Sequence, residues 1–169
     1  MKEKMACLLQ DVDVQKLALS EARTGRAGMT IRGLADGAIV ARVSEAIDCE
    51  VLYEPSTFQG TGQETRLNIV IRAPEKSLDA LRAMQAALLP DGYASSVREG
   101  CIRAKIDVTK VQFYAPDGVE AQAPASYRPR CHAALEIKGT YQSRQGAGLL
   151  LEVTALQLGG TAPAPNPFI

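Results

Sequence analysis

Cations and tyrosines recur in this chain at positions that a strand or a loop would hold clear of a core. In "TRLNIVIRA", Leu67, Ile69 and Ile71 face one way, while Arg66, Asn68 and Arg72 face the other. In "GCIRAKIDV", Ile102, Ala104, Ile106 and Val108 oppose Arg103, Lys105 and Asp107. Lys110 and Tyr114 follow, and Tyr127, Arg128 and Arg130 close the next connection. Tyr141 and Arg144 sit in "GTYQSRQGAG", which reads as a short loop between strands, and Arg23, Arg26 and Arg32 share the glycine-containing loop "RTGRAGMTIR". Arginine and lysine hold phosphate oxygens, and a tyrosine at a wet site offers a flat face to a base. Together they are the chemistry that holds a single strand of nucleic acid. Outward Arg and Lys are also the ordinary solvated face of a half-exposed sheet, so the argument rests on the group and not on any one member.

Catalytic patterns are absent by the same reading. The single histidine, His132, directly follows Cys131, and neighbours on a strand point to opposite faces, so the two cannot pair. The glycines of "GTGQET", residues 60–65, lack the lysine and the helix of a phosphate loop and read as a turn. Cys7, Cys49, Cys101 and Cys131 form no close pair of the kind zinc requires, and buried free thiols are expected. No metal and no cofactor is called for.

Composition sets the frame. The 169 residues are 46% hydrophobic and 22% charged, with a formal net charge of zero. One domain is expected, and no apolar run reaches the roughly 20 residues that span a bilayer. The start, "MKEKMACLLQDVDV", lacks a small-residue cleavage site, which points to a cytoplasmic protein, in the host cytoplasm if viral. Zero net charge argues against a protein wrapped in nucleic acid, but not against a basic groove balanced by an acidic surface elsewhere. The distribution fits the second case: Glu45, Asp48, Glu50, Glu54 and Glu64 occur in a stretch without a basic residue.

The elements that must position these side chains are mostly strands. "KLALSEA", "AIVARVSE" and "DCEVLYE" read as strands beside the two above, and "AALEIKG" and "GLLLEVTALQL" as a closing pair. A phase slip near Thr109 implies a bulge, and a second slip lies within Leu149–Leu158. One helix is expected after Pro74, stopped by Pro90 and Gly92, and a weaker one over Glu3–Gln10. Six or seven short strands, bulges and one inserted α-helix fit a mainly β, OB-fold-like antiparallel barrel, five-stranded or slightly elaborated. Residues 1–158 form the barrel domain, and 159–169 a flexible Pro-rich tail.

The segments "SEARTGRAGMTIRG", "YEPSTFQGTGQETRLNIVIR", "VQFYAPDG" and "ALEIKGTYQSRQGAGLLLEVTALQL" resemble, in pattern and arrangement, phage-type OB-fold single-stranded DNA-binding proteins. The resemblance implies a non-enzymatic protein that binds single-stranded DNA with little sequence preference in replication or recombination. It also implies a tail whose tip, Pro167, Phe168 and Ile169, docks on replication or recombination proteins. The tail departs from that pattern in having no acidic residue. Edge strands leave room for a homodimer, and no membrane partner is implied. The rival reading is a structural or assembly barrel that uses the same face for protein contacts, where Arg and Tyr are also enriched.

Overall fold

The computed structural model describes residues 7–25, 28–56, 65–124 and 130–159. Its strands are β1 (Cys7–Leu8), β2 (Arg23–Thr24), β3 (Thr30–Gly33), β4 (Ile39–Arg42), β5 (Cys49–Val51) and β6 (Arg66–Arg72). After helix α1 (Glu75–Leu88) come β7 (Val97–Arg98), β8 (Cys101–Asp107), β9 (Gln112–Tyr114), β10 (Glu120–Ala121), β11 (Arg130–Ser143) and β12 (Gly146–Leu158). The fold is mainly β with one inserted helix, as the alternating segments imply.

Five strands close a ring. β11 pairs antiparallel with β5, β5 with β6, and β6 with β8 over seven residue pairs. β8 then meets β12 in parallel, at Lys105–Glu152 and Ile106–Val153, and β12 returns to β11 along its whole length. The parallel contact is short, and β12 passes on to β9, so the ring is an OB-like barrel with an irregular seam. The inward residues of the alternation fill it: Ile69, Ile71, Ile102, Ile106, Leu135, Ile137, Leu151 and Val153 are all buried. Helix α1 adds Leu78, Leu81 and Met84 to the same core. Full burial of each such side chain contributes roughly 1.5–3 kcal/mol.

Several elements differ from the sequence expectation. "KLALSEA" is not a strand: a 3₁₀ turn covers Val14–Lys16, and only Leu19 bridges to Leu34. The described part of the N-terminal segment is the short β1 and a 3₁₀ turn at Leu9–Asp11 instead of helix. The slip near Thr109 is a turn between two strands, because the Asp107 carboxylate accepts from both the N–H and the hydroxyl of Thr109. Those two bonds hold the Asp107 carboxyl below its ordinary range. Most of "GTYQSRQGAG" is strand as well, leaving Arg144 and Gln145 as the hairpin turn. The tail, apart from Gly159, lies outside the described residues.

The expected second slip is present: Ala134 faces Ala155 and Leu135 faces Val153, so Thr154 is an extra residue on β12. A further bulge lies on β11, where Ile137 faces Leu151 and Gly139 faces Leu150, leaving Lys138 extra. Gly139 cannot be another residue. Its φ is +147°, and a Cβ there would stand 2.0 Å from the Arg32 carbonyl oxygen on β3. Gly139→Ala is therefore expected to cost on the order of 3 kcal/mol from backbone strain and overlap. Gly146→Ala shares the positive φ (+137°) but meets nothing within 4 Å. Denaturant midpoints should show Gly139→Ala as much the more damaging of the two, and equal losses would contradict the contact.

Candidate nucleic-acid interface

Three adjacent strands carry the outward residues of the ring. On β6 these include Arg66, Asn68 and Arg72, and on β8 they are Arg103, Lys105 and, opposite Arg66, Asp107. The β6–β8 register sets Asn68 beside Lys105, and Lys105 Nζ donates to Asn68 Oδ1. On β12, Leu150 and Glu152 continue the same face.

Beside this floor stands the β2–β3 hairpin, in which Arg23 pairs with Ile31 and Gly25 N–H donates to the Met29 carbonyl at 2.7 Å. On the other side runs the segment 94–96. Ala94 N–H donates to Ala147 O at 2.7 Å, and Arg103 N–H to Ser96 O at 2.7 Å. A fully buried glutamine of α1, Gln85, fixes this wall. Its Nε2 donates to Ser95 Oγ at 3.1 Å, and its Oε1 accepts from Ser96 N–H at 2.6 Å.

Floor and walls enclose an open cleft of about 710 Å³. Arg23, Arg66, Arg103, Lys105 and Tyr141 all line it, with Lys138, Ile31, Met29 and Asn68. No Asp or Glu is among the described lining residues. Lys138 is neutralised by Glu152 at 3.0 Å and Glu136 at 3.6 Å. Among the described residues, Arg23, Arg66, Arg103 and Lys105 form no ion pair. Lys105 is exposed, yet its ammonium titrates below the ordinary lysine range because the cleft displaces part of its water and Arg66 stands nearby. Asp107, opposite Arg66 in the β6–β8 register, offsets part of that charge, and the remaining like charges around the concavity are a state that an anion relieves.

The β11 bulge brings Tyr141 to this face. From Cys131 to Ile137 the odd-numbered residues point into the barrel, a phase that would carry Tyr141 inward too. The extra Lys138 reverses the parity: Thr140 is buried, and Tyr141 turns outward beside Ile31. The ring lies over Gly148 of β12, where a Cβ would meet its atoms at 2.6–2.8 Å. A tyrosine stacked on a glycine has one face held and the other open to the cleft.

The remaining expected site residues lie elsewhere. Arg32 follows Ile31 on β3 and points away, its Nε donating to Ser20 O at 2.9 Å. Arg72 stands 3.8 Å from Glu50, Lys110 is 3.9 Å from Asp107, and Arg130 donates to Ile47 O at 3.0 Å. Arg144 is exposed in the hairpin turn, and Tyr114 lines a separate hollow. Arg26, Tyr127, Arg128, Pro167, Phe168 and Ile169 fall outside the described residues. Lys138, which the alternation of "LEIKG" also turns outward, joins the cleft lining although it was not among the expected site residues.

Cys131 is buried while His132 lies on the opposite face, its Nε2 bonded to the Ser44 carbonyl. Burial pushes the Cys49 thiol up to about 11 and the Cys131 thiol up to about 12, so neither is a thiolate at neutral pH.

No family model matches the chain, and no curated protein matches it. The chain is similar to solved structures of a single-stranded DNA-binding protein from bacteriophage Enc34. The form in complex with ssDNA superposes with a TM-score of 0.46 at 13% identity, covering 90% of this chain and 99% of that one. The C-terminal truncation gives 0.45 at 13% identity, over 85% and 97% of the two chains. A third structure of the same phage protein gives 0.46 at 10%, over 89% and 94%.

Gln85 ties the helix to the cleft wall. Gln85→Leu keeps the volume but strips the Ser96 N–H of its acceptor, and is expected to destabilise by roughly 1–3 kcal/mol. The denaturant midpoint should fall with the slope unchanged, whereas an unmoved midpoint would show that the wall is held otherwise.

Proposed function

We propose that the chain binds single-stranded DNA in the cleft over β6, β8 and β12. One observation carries the reading: four cations outside any ion pair among the described residues share one open trough with Tyr141, and no described carboxylate lines it. Arg66, Arg103, Lys105 and Arg23 hold successive phosphates, and Tyr141 stacks a base. The polar side chains positioned to read base edges are already engaged, Asn68 by Lys105 and Ser95 by Gln85. Binding is accordingly tolerant of sequence. That suits a protein covering displaced strands in replication or recombination. A stacking tyrosine needs an unpaired base, which favours a single strand over a duplex.

The chain has no Trp and 5 Tyr, so tyrosine emission reports directly on stacking. Titration with oligo-dT at low salt should quench it, and salt should reverse the quenching. Four phosphate contacts give a log–log salt slope of about −3, and Arg103→Ala should flatten it by about 0.7. Folded protein that shows no response at low salt would favour the assembly-barrel reading.

Lys105 adds a pH signature. Its pKa in the free protein is lowered, and a neighbouring phosphate favours the charged form. Affinity should therefore fall as pH rises through that lowered value, before ordinary lysines titrate. Lys105→Arg should abolish this alkaline limb, because Arg stays charged. The same shift means the folded state disfavours charged Lys105. That penalty is present below the lowered pKa and gone above the unfolded value. At neutral pH, Lys105→Met should leave the melting temperature unchanged or raised while weakening binding. A lowered melting temperature would show that Lys105 is a structural residue.

A further inference from the structure

A second hollow, of about 270 Å³, lies on the outer face of the β4–β11–β12–β9 side of the sheet. It is built by register. Arg42 of β4 faces Ala134 of β11, and Ala134 faces Ala155 of β12. One step along, His132 faces Gln157, and Gln157 faces Tyr114 of β9. All six residues line the hollow. Its floor at Ala134 and Ala155 carries only methyl groups, while Arg42 and Tyr114 stand at its two sides. The Tyr114 hydroxyl donates to Gln112 Oε1 at 2.8 Å, which fixes the ring.

The extra residue at Thr154 creates this floor. Leu149, Leu151 and Val153 point inward, and without the bulge Ala155 and Gln157 would follow them. With it, Leu156 goes to the core and Ala155 and Gln157 turn outward. Each of the ribbon's two bulges therefore sets one hollow on the same outer face.

We infer that this hollow is a stacking slot for one further base of the strand held in the cleft, an inference that rests on the single-stranded DNA reading above. The chemistry selects a flat ring: a methyl floor admits it, Tyr114 stacks on it, and Arg42 lies across from it. Its volume is below the roughly 300 Å³ at which drug-sized sites begin, which suits a single ring system. Ala134 of the slot and Lys138 of the cleft are four residues apart on β11, about 13 Å. Between them lies the bridge of Lys138 with Glu136 and Glu152, one positive group against two negative, so the strand spans this saddle without a phosphate contact. A strand leaving the cleft crosses that saddle and drops one base into the slot.

The test is a length series of 5′-labelled oligo-dT against the full chain, read by fluorescence anisotropy. Two variants attack the slot independently, Tyr114→Leu by removing the stacking face and Ala134→Met by filling the floor. Thermal melts identify variants that fold as the wild type does. The shortest oligomers that bind should bind wild type and variants alike. Oligomers long enough to reach the slot should gain affinity on wild type only, leaving the variants about tenfold weaker. Equal affinity of the wild type and a folded variant at every length would overturn the slot while leaving the cleft reading intact. Wild-type protein that binds no length at all would overturn both. If one variant fails to fold, the other decides.

Discussion

A strand offers its side chains to alternate faces, and nothing short of an extra residue can change which face a given position serves. β11 and β12 run beside each other for most of their length, and together they supply both barrel wall and cleft. An unbroken ladder would send Tyr141 into the core and Leu156 into solvent. Lys138 and Thr154 are the two inserted residues that prevent this. The first is locked by Gly139, whose backbone touches the Arg32 carbonyl so closely that only hydrogen fits between them. That contact also holds β3, and with it Ile31 and the β2–β3 hairpin, at the rim of the cleft. One backbone approach thus shapes the barrel, aims the tyrosine and places a wall.

Charge is arranged with the same locality. The chain is neutral in sum, with 19 basic and 19 acidic residues. Neutrality is not spread evenly over the surface. Glu75 and Asp79 hold Arg82 on the outside of α1, and Glu50 holds Arg72. Arg66, Arg103, Lys105 and Arg23 are left facing one cleft without such partners. Lys105 titrates below the ordinary lysine range chiefly because the cleft removes part of its water, and secondarily because Arg66 stands nearby. Single unpaired cations are ordinary on a solvated surface, and it is their gathering in one concavity that sets this face apart.

Much of this was legible in the residues. Strict alternation in 66–72 and 101–107 identified both strands and the outward Arg66, Arg103 and Lys105. The change of apolar parity between Ala155 and Leu156 announced a slip in β12, which the structure places at Thr154, so that Ala155 turns outward instead of inward. The Lys138 bulge left no such trace, because Gly139, Thr140 and Tyr141 supply no apolar run to reveal the slip. Gly and Ser around Tyr141 suggested a loop, but pairing with β3 and β12 overrides that local preference. In the same way Leu17 and Leu19 alternate like a strand, but a turn takes Val14–Lys16 and the pairing with residues 33–35 shrinks to a single bridge at Leu19. Arg32 illustrates a further limit: alternation separates it from Ile31, but only the pairing with β11 decides which of the two meets the cleft. The 94–96 wall and its dependence on Gln85 are tertiary facts with no local signature.

Lysine footprinting tests the central claim most directly, because one sample contains both the site and its controls. The protein would be acetylated with and without saturating oligo-dT, and each lysine followed by mass spectrometry. Lys105 lines the cleft, whereas Lys16 and Lys110 are exposed outside it. The account predicts strong protection of Lys105 by the oligonucleotide, with Lys16 and Lys110 reacting as before. Protection of Lys110 or Lys16 with Lys105 still fully reactive would contradict it.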